Sequence, residues 1–473
     1  MIPRVSGRPR YGPAATVVLA ALLGAWALPA QGQDRGGIRV YEEQLRARLD
    51  QTNLVSREEG VSGGGWLNFA VFKFDQPGTE MRTLRQYQAR AWGDANYKGI
   101  HRFYVRGMTE YDDWNHGDEP FHGDDWVEPR LERGWYQFDL GQMIRNASGK
   151  APDVGFRVRV GRDYATIGTA LALAIPLDMV RFDLEARDWA FMAFLGKTVG
   201  SELNLDRSPN IRSEQRRCFW GAQFTWLGLG EHQPFVYFLN NQDNSEADPD
   251  DPAQAYEYTS RYVGIGSTGR LLIPNLHYST ELVGEWGKTY SDTATANRDR
   301  IEAMAFDFLL EYFFDVPTRP RVMVEYIFAS GDNDRILGSG TTVGGNQPGT
   351  KDHAFNAFGF RDTGLVLAPE VSNLNMYVLG ASFFPLEHIK LFRRLELGSK
   401  VFFYQRAARN GALSDTPAQT NARWVGWEWD VFANWQITSD LIWSVRYGAF
   451  QPGDAFVDNG CGHFLFTGFT LSF

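Results

Sequence analysis

The sequence is almost devoid of cysteine: Cys218 and Cys461 are the only two in 473 residues. That excludes a disulfide-stapled scaffold and leaves room for one bridge at most, in an oxidising compartment. Long apolar runs are missing too. The only one, residues 14–28, lies near the N-terminus, and nothing after it approaches the roughly twenty apolar residues that a membrane-spanning helix needs. There is no surplus of positive charge, since 57 acidic residues against 47 Lys and Arg give a net charge of −10. This argues against nucleic acid as a partner, because binding it depends on neutralising phosphates. What is abundant is aromatic side chains, 14% of the chain with 15 Trp, together with 49 Gly. Yet the mean hydropathy is −0.35. A wall whose lipid-facing and lumen-facing residues alternate averages out to a polar, aromatic-rich composition of this kind.

Arg4, Arg8 and Arg10 precede the apolar run, and Pro29-Ala30-Gln31-Gly32 follows it. A basic start, a short apolar stretch and a small-residue end form a secretory signal peptide, with cleavage expected near Ala30 or Gly32. No cysteine stands at that site, so a lipoprotein is not expected. Residues 1–32 are therefore read as the signal and 33–65 as a periplasmic N-terminal segment. The charged stretch 41–59 could form a short helix there, ahead of a flexible Ser62-Gly63-Gly64-Gly65. A plug and a disordered leader are both open readings of it.

Period-two alternation then dominates the chain, as strands show and helices do not. Arg157 and Arg159 alternate with Phe156, Val158 and Val160. Arg181, Asp183, Glu185 and Arg187 alternate with Val180, Phe182, Leu184 and Ala186. Arg321, Met323 and Glu325 alternate with Val322, Val324 and Tyr326, and Glu428 and Asp430 with Trp427, Trp429 and Val431. One face carries full charges and the other is wholly apolar. The last segment puts Leu465, Thr467, Phe469, Leu471 and Phe473 on one face, and a final strand with a terminal Phe resembles the signal read by the barrel-assembly machinery. The expected fold is an all-β, antiparallel transmembrane β-barrel over residues 66–473, with eighteen strands if 66–74 is the first and sixteen as the alternative. Counting back from the end puts 451–462, 407–423 and 330–372 outside and 438–440 in the periplasm, which gives long outer loops and short periplasmic turns. Trp427 and Trp435 share a face eight residues apart. At a rise of about 3.3 Å per residue and the tilt usual in barrels, they reach both edges of a roughly 25 Å apolar band.

By the same parity, Arg102, Arg106, Arg157, Arg159, Arg181, Arg187, Arg217, Arg321, Arg394, Lys400, Arg406 and Arg446 point into the lumen. So do Glu110, Asp183, Glu185, Glu281, Glu285, Asp307, Glu325, Glu396, Glu428 and Asp430. Guanidinium groups lining a pore attract anions and grip carboxylates in bidentate fashion. The opposing possibility is that these charges pair across the lumen and only hold the wall. Residues 112–126, with His116 and His122, and the acidic stretch 241–251 are read as solvated outer loops rather than divalent-ion sites. No metal ligand, cofactor or catalytic residue is assigned.

Several segments resemble the alginate-export family of outer-membrane barrels. They are Tyr447-Gly448-Ala449-Phe450-Gln451-Pro452-Gly453-Asp454-Ala455-Phe456 before the last strand, Glu325-Tyr326-Ile327-Phe328-Ala329-Ser330-Gly331-Asp332-Asn333-Asp334 leading into the longest outer loop, and Val160-Gly161-Arg162-Asp163-Tyr164. The resemblance implies passive export of an anionic uronate polysaccharide through an arginine-lined constriction. The expected pathway set is Arg102, Arg106, Arg157, Arg159, Arg162, Arg181, Arg187, Arg321, Arg394, Lys400 and Arg446, with Asp183, Glu185, Glu325, Glu428 and Asp430 as its acidic members. The expected location is the bacterial outer membrane. The expected partners are membrane lipid, an anionic polysaccharide, the assembly machinery and a separate periplasmic scaffold protein, around a monomeric barrel. The alternatives are a general or oligosaccharide-specific diffusion porin and an outer-membrane barrel enzyme, although no Ser/His or Asp/His spacing is distinctive.

Overall fold

The computed structural model describes residues 37–42, 59–75, 81–118, 124–199, 216–244, 257–290, 298–334, 343, 346–413 and 420–473. The expected signal peptide lies outside the described residues. Among them no helix is long and apolar enough to cross a membrane, and strands make the crossing instead.

The first six strands are β1 (Gly60–Asp75), β2 (Arg82–Tyr97), β3 (His101–Trp114), β4 (Asp125–Asp139), β5 (Val154–Ile167) and β6 (Leu173–Ala186). The next six are β7 (Trp189–Thr198), β8 (Arg217–Trp226), β9 (His232–Asp243), β10 (Thr259–Arg270), β11 (Leu276–Tyr290) and β12 (Arg298–Phe313). The last are β13 (Arg321–Ala329), β14 (Leu374–Phe383), β15 (Leu395–Arg406), β16 (Trp424–Gln436), β17 (Leu441–Pro452) and β18 (Gly462–Ser472). Each pairs antiparallel with its sequence neighbours, and β1 pairs with β18, so eighteen strands close into a barrel. Closure satisfies every strand's backbone within the sheet, which is what lipid demands. The outer connections reach from 330 to 373, whereas periplasmic turns such as 187–188 and 437–440 are short.

The outward residues are the apolar ones. Met304, Phe308, Trp427, Trp429, Leu465 and Phe469 are all exposed on the outer wall. A periplasmic aromatic edge follows from cross-strand contacts, with Trp435 edge-on to Trp443 at 6.4 Å and Trp443 stacked against Phe469 at 6.3 Å. Cys218 and Cys461 are free and exposed.

One periplasmic connection carries a helix that the period-two reading passes over, α1 (Leu140–Ser148). Its local signals are ordinary ones. Asp139 accepts the Gln142 N–H at 2.8 Å as the N-cap, and Gly149, at φ 72°, closes the other end on the Arg145 carbonyl.

The glycine run before Trp66 is not a free linker, because β1 begins at Gly60. Gly65 exchanges backbone hydrogen bonds with Phe473 at 3.0 and 3.1 Å, closing the seam. A Cβ on Gly65 would stand 2.6 Å from the Phe473 ring and 2.7 Å from the Arg90 carbonyl. Valine favours strands in general, but here Gly65→Val should cost about 1–3 kcal/mol through overpacking. The expected result is a lower urea midpoint for the heat-modifiable gel mobility of the folded barrel.

Candidate functional site: the lumen and its folded-in loop

In the longest outer loop, 330–373, residues 354–373 do not stand out in solvent. Its middle enters the barrel and adds a strand-like stretch to the β5–β6 connection. There Ala174 donates its N–H to the Phe358 carbonyl at 2.7 Å, and Phe358 and Phe360 donate to Ala172 and Ala170, each at 3.0 Å. The alternation of Phe358 and Phe360 with small residues drives this. Phe358 packs edge-on to Phe219 at 4.8 Å, and Phe355 and Phe358 are fully buried. The alternation of aromatic and small residues in 357–360 is the sequence signal that would have found the insertion.

Inward carboxylates seat the loop. Glu428 accepts the backbone N–H groups of Leu365, Val366 and Leu367 at 2.5, 2.7 and 2.9 Å. Gly364 makes the turn that presents them, at φ 104°, and a Cβ there would meet the Tyr404 hydroxyl at 2.4 Å. Tyr404 itself donates to the Thr363 carbonyl at 2.8 Å. Glu285 accepts from Asn356 N–H at 3.0 Å, and Glu281 from Thr169 N–H at 2.7 Å. Arg361, which parity could not find because it sits in a loop, donates to Asp307 at 2.8 Å and to the Thr169 carbonyl and hydroxyl at 2.9 and 2.6 Å. Lys400 donates to Asp362 at 2.7 Å. Buried donors and cations need partners, and much of the inward acidity exists for that reason. Glu428, expected on the pathway, is a loop anchor.

The described N-terminal residues, 37–42, form a single helical turn inside the lumen. Arg39 pairs with Glu370 of the long loop, and Tyr41 donates to Asn68 at 3.0 Å and packs on Phe466 at 3.9 Å. Arg446 lies over the Tyr41 ring at 5.9 Å.

The basic residues form two groups. On β3 to β6, Arg102 is directly opposite Gln137, Gln137 opposite Arg159, and Arg159 opposite Arg181. This row crosses four strands in the periplasmic half. Each guanidinium has a carboxylate at hand. Arg102 binds Asp94 at 2.7 Å, Arg159 binds Asp163 at 2.5 Å, Arg181 binds Asp183 at 2.8 Å, and nearby Arg157 binds Glu185 at 3.0 Å. The arginines are nevertheless 23–41% exposed, so they still face the lumen. Arg106 is different. It is 1% exposed and locked on Glu132, a carboxylate it shares with Arg90.

On β13, seven strands beyond β6, Arg321 pairs with Glu311 and remains 42% exposed. With Lys400, Arg446, Asp362, Glu396 and Asp430 it borders a cavity of about 210 Å³ between the long loop and β13 to β17. Glu325 faces inward and is buried.

Three expected pathway residues are placed elsewhere. Arg162 shares its pleat face with Val158 and Val160 and pairs with Asp178 at 2.9 Å on the outer side. Arg187 lies in the 187–188 periplasmic turn with its side chain 95% exposed. Arg394 is exposed in the turn before β15. The last two fail for one reason, since parity extrapolated past a strand end has no pleat to define a face. Arg90 and Arg133 line the wall beside Glu132 and Asp163. Parity would have assigned Arg90 had β2 been read as regular, and Arg133, in phase with Gln137 and opposite Arg106, had β4 been extended that far, whereas the register shift after Arg106 hides Glu132. Among the described residues no group of three His, Cys, Asp or Glu could hold a metal ion, and the 119–123 stretch containing His122 lies outside them.

Solved structures with the same architecture are outer-membrane porins of Pseudomonas aeruginosa. OccK5 (OpdH) aligns over 87% of this chain and 98% of its own with a TM-score of 0.53 at 11% identity. The outer membrane protein opdK aligns over the same shares at 0.55 and 9%. OprD aligns over 89% and 96% at 0.53 and 11%. At such identities the likeness shows the fold alone. No curated protein matches the chain significantly. The alginate export family model, in contrast, matches residues 176–463, more than half of the sequence and most of the barrel. With a closed eighteen-strand wall, a charged lumen and this match, the chain is a pore of the bacterial outer membrane and belongs to the alginate export family.

Proposed function

We propose that this pore passively exports an anionic, uronate-containing polysaccharide such as alginate, and that it prefers anions. The observation that carries the reading is the exposed row Arg102, Arg159 and Arg181, lying across the ring from Arg321 and Lys400. Carboxylates already beside these arginines lower the net field without filling every donor, because a guanidinium carries five N–H groups. Contacts that are individually weak and repeated allow a charged polymer to enter and still move on. Reversal potentials in a salt gradient and current block by short oligouronates in planar bilayers test this. Anion preference with stronger block by oligouronates than by neutral malto-oligosaccharides is the expected result, and equal block by both would overturn it.

In this reading the N-terminal turn 37–42 is a plug. It rests on the long loop through Arg39 and Glu370. Arg39→Ala should raise the open fraction and the current noise of single channels, with the barrel's heat-modifiable mobility unchanged.

A further inference from the structure

Four lumen-facing aromatic rings stack across the first four strands, and a guanidinium closes the series. Trp66 and Trp92 have centroids 6.3 Å apart at 28°, Trp92 and Tyr104 6.4 Å at 19°, and Tyr104 and Trp135 5.5 Å at 22°. Arg159 then lies 4.2 Å over the Trp135 centroid, with Arg102 over the same ring at 5.6 Å. Tyr104 is directly opposite Trp135. Trp66 and Trp92, like Trp92 and Tyr104, are two residues out of register, a diagonal that aromatic side chains span.

Rings lying side by side in one plane would collide at these separations, so the near-parallel planes are offset stacks. Trp66 and Tyr104 are buried within the column, so the lumen meets it at the rims of Trp92 and Trp135. An aromatic rim is the positive part of the ring's quadrupole. Trp92 and Trp135 are half-buried, and neither indole N–H is among the buried atoms lacking a partner. Indole and guanidinium are donors that accept nothing. Trp92 and Trp135 thus present positive edges and N–H donors to the lumen, continuous with the arginine row at Arg159.

We propose that this column is a binding subsite for successive pyranose units of an acidic polysaccharide, with the rim donors meeting hydroxyl and carboxylate oxygens. The inference rests on the export reading and assigns its sugar contacts to aromatic residues on β1 to β4. In planar bilayers the probe is a short oligomannuronate, compared with a malto-oligosaccharide of equal length. In the Trp92→Leu/Trp135→Leu double variant, the blocking constant for the oligomannuronate should weaken about tenfold, the effect of losing two modest hydrogen bonds. The Trp92→Phe/Trp135→Phe pair keeps the stack and loses only the indole donors, so blockades should shorten with little change in how often they begin. If the leucine pair does not fold, the phenylalanine pair decides the matter. Parent-like blockade in whichever pair folds overturns the subsite and leaves the export reading standing. A parent protein that no oligomannuronate blocks overturns the export reading, and the subsite with it.

Discussion

Glu428→Ala should raise single-channel conductance severalfold and make it noisy, while the barrel stays folded. Its carboxylate takes three consecutive loop N–H groups at 2.5–2.9 Å. Hydrogen bonds to a charged group contribute about 1.5–3 kcal/mol each. Even with strong non-additivity, losing all three removes roughly 3 kcal/mol from the seat and shifts the seated-to-unseated ratio at least about a hundredfold. Asp362 with Lys400 and Arg361 with Asp307 hold other points of the loop, so the release should be local to 363–370. The β15–β16–β17 pairing of this wall is backbone-made and unaffected. Glu428→Gln preserves shape and one acceptor and should lie between parent and alanine. A quiet, parent-like conductance in the alanine variant would mean that the loop is held without this carboxylate.

Replacing Arg102, Arg159 and Arg181 together by Gln should remove more than half of the reversal potential in a salt gradient. It should also weaken block by short oligouronates by roughly tenfold or more, if each wet, partly exposed ion contact contributes about 0.5–1 kcal/mol. The loss should be largest at low salt, because the screening length falls from about 10 Å at 0.1 M to about 3 Å at 1 M. The neighbouring Asp94, Asp163 and Asp183 complicate the sign. Without their arginines they stand uncompensated, and the variant is expected to lean toward cations rather than stop at neutrality. Ion preference and oligouronate block unchanged from the parent would make the row a wall element alone.

Alternation along the chain was enough to give the barrel, with eighteen strands ahead of sixteen, and in β5, β6, β13 and β15 the inward direction of Arg157, Arg159, Arg181, Arg321 and Lys400. Lipid leaves one face no chemical choice, so each strand carries its own orientation in its residues. The sequence likewise marks which loops are long, through the spacing of those strands. What it does not carry is where a long loop goes. Residues 354–373 have no lipid constraint, and they enter the barrel because carboxylates from β11, β12 and β16, distant in sequence, converge on their N–H groups and on Arg361. The same convergence turned Glu428 from a pathway charge into an anchor, and a register shift after Arg106 placed Glu132 between two arginines. Orientation was a local property, set residue by residue against lipid. The partner of each inward charge was decided by register across strands and by the folded-in loop, which only the closed barrel brings together.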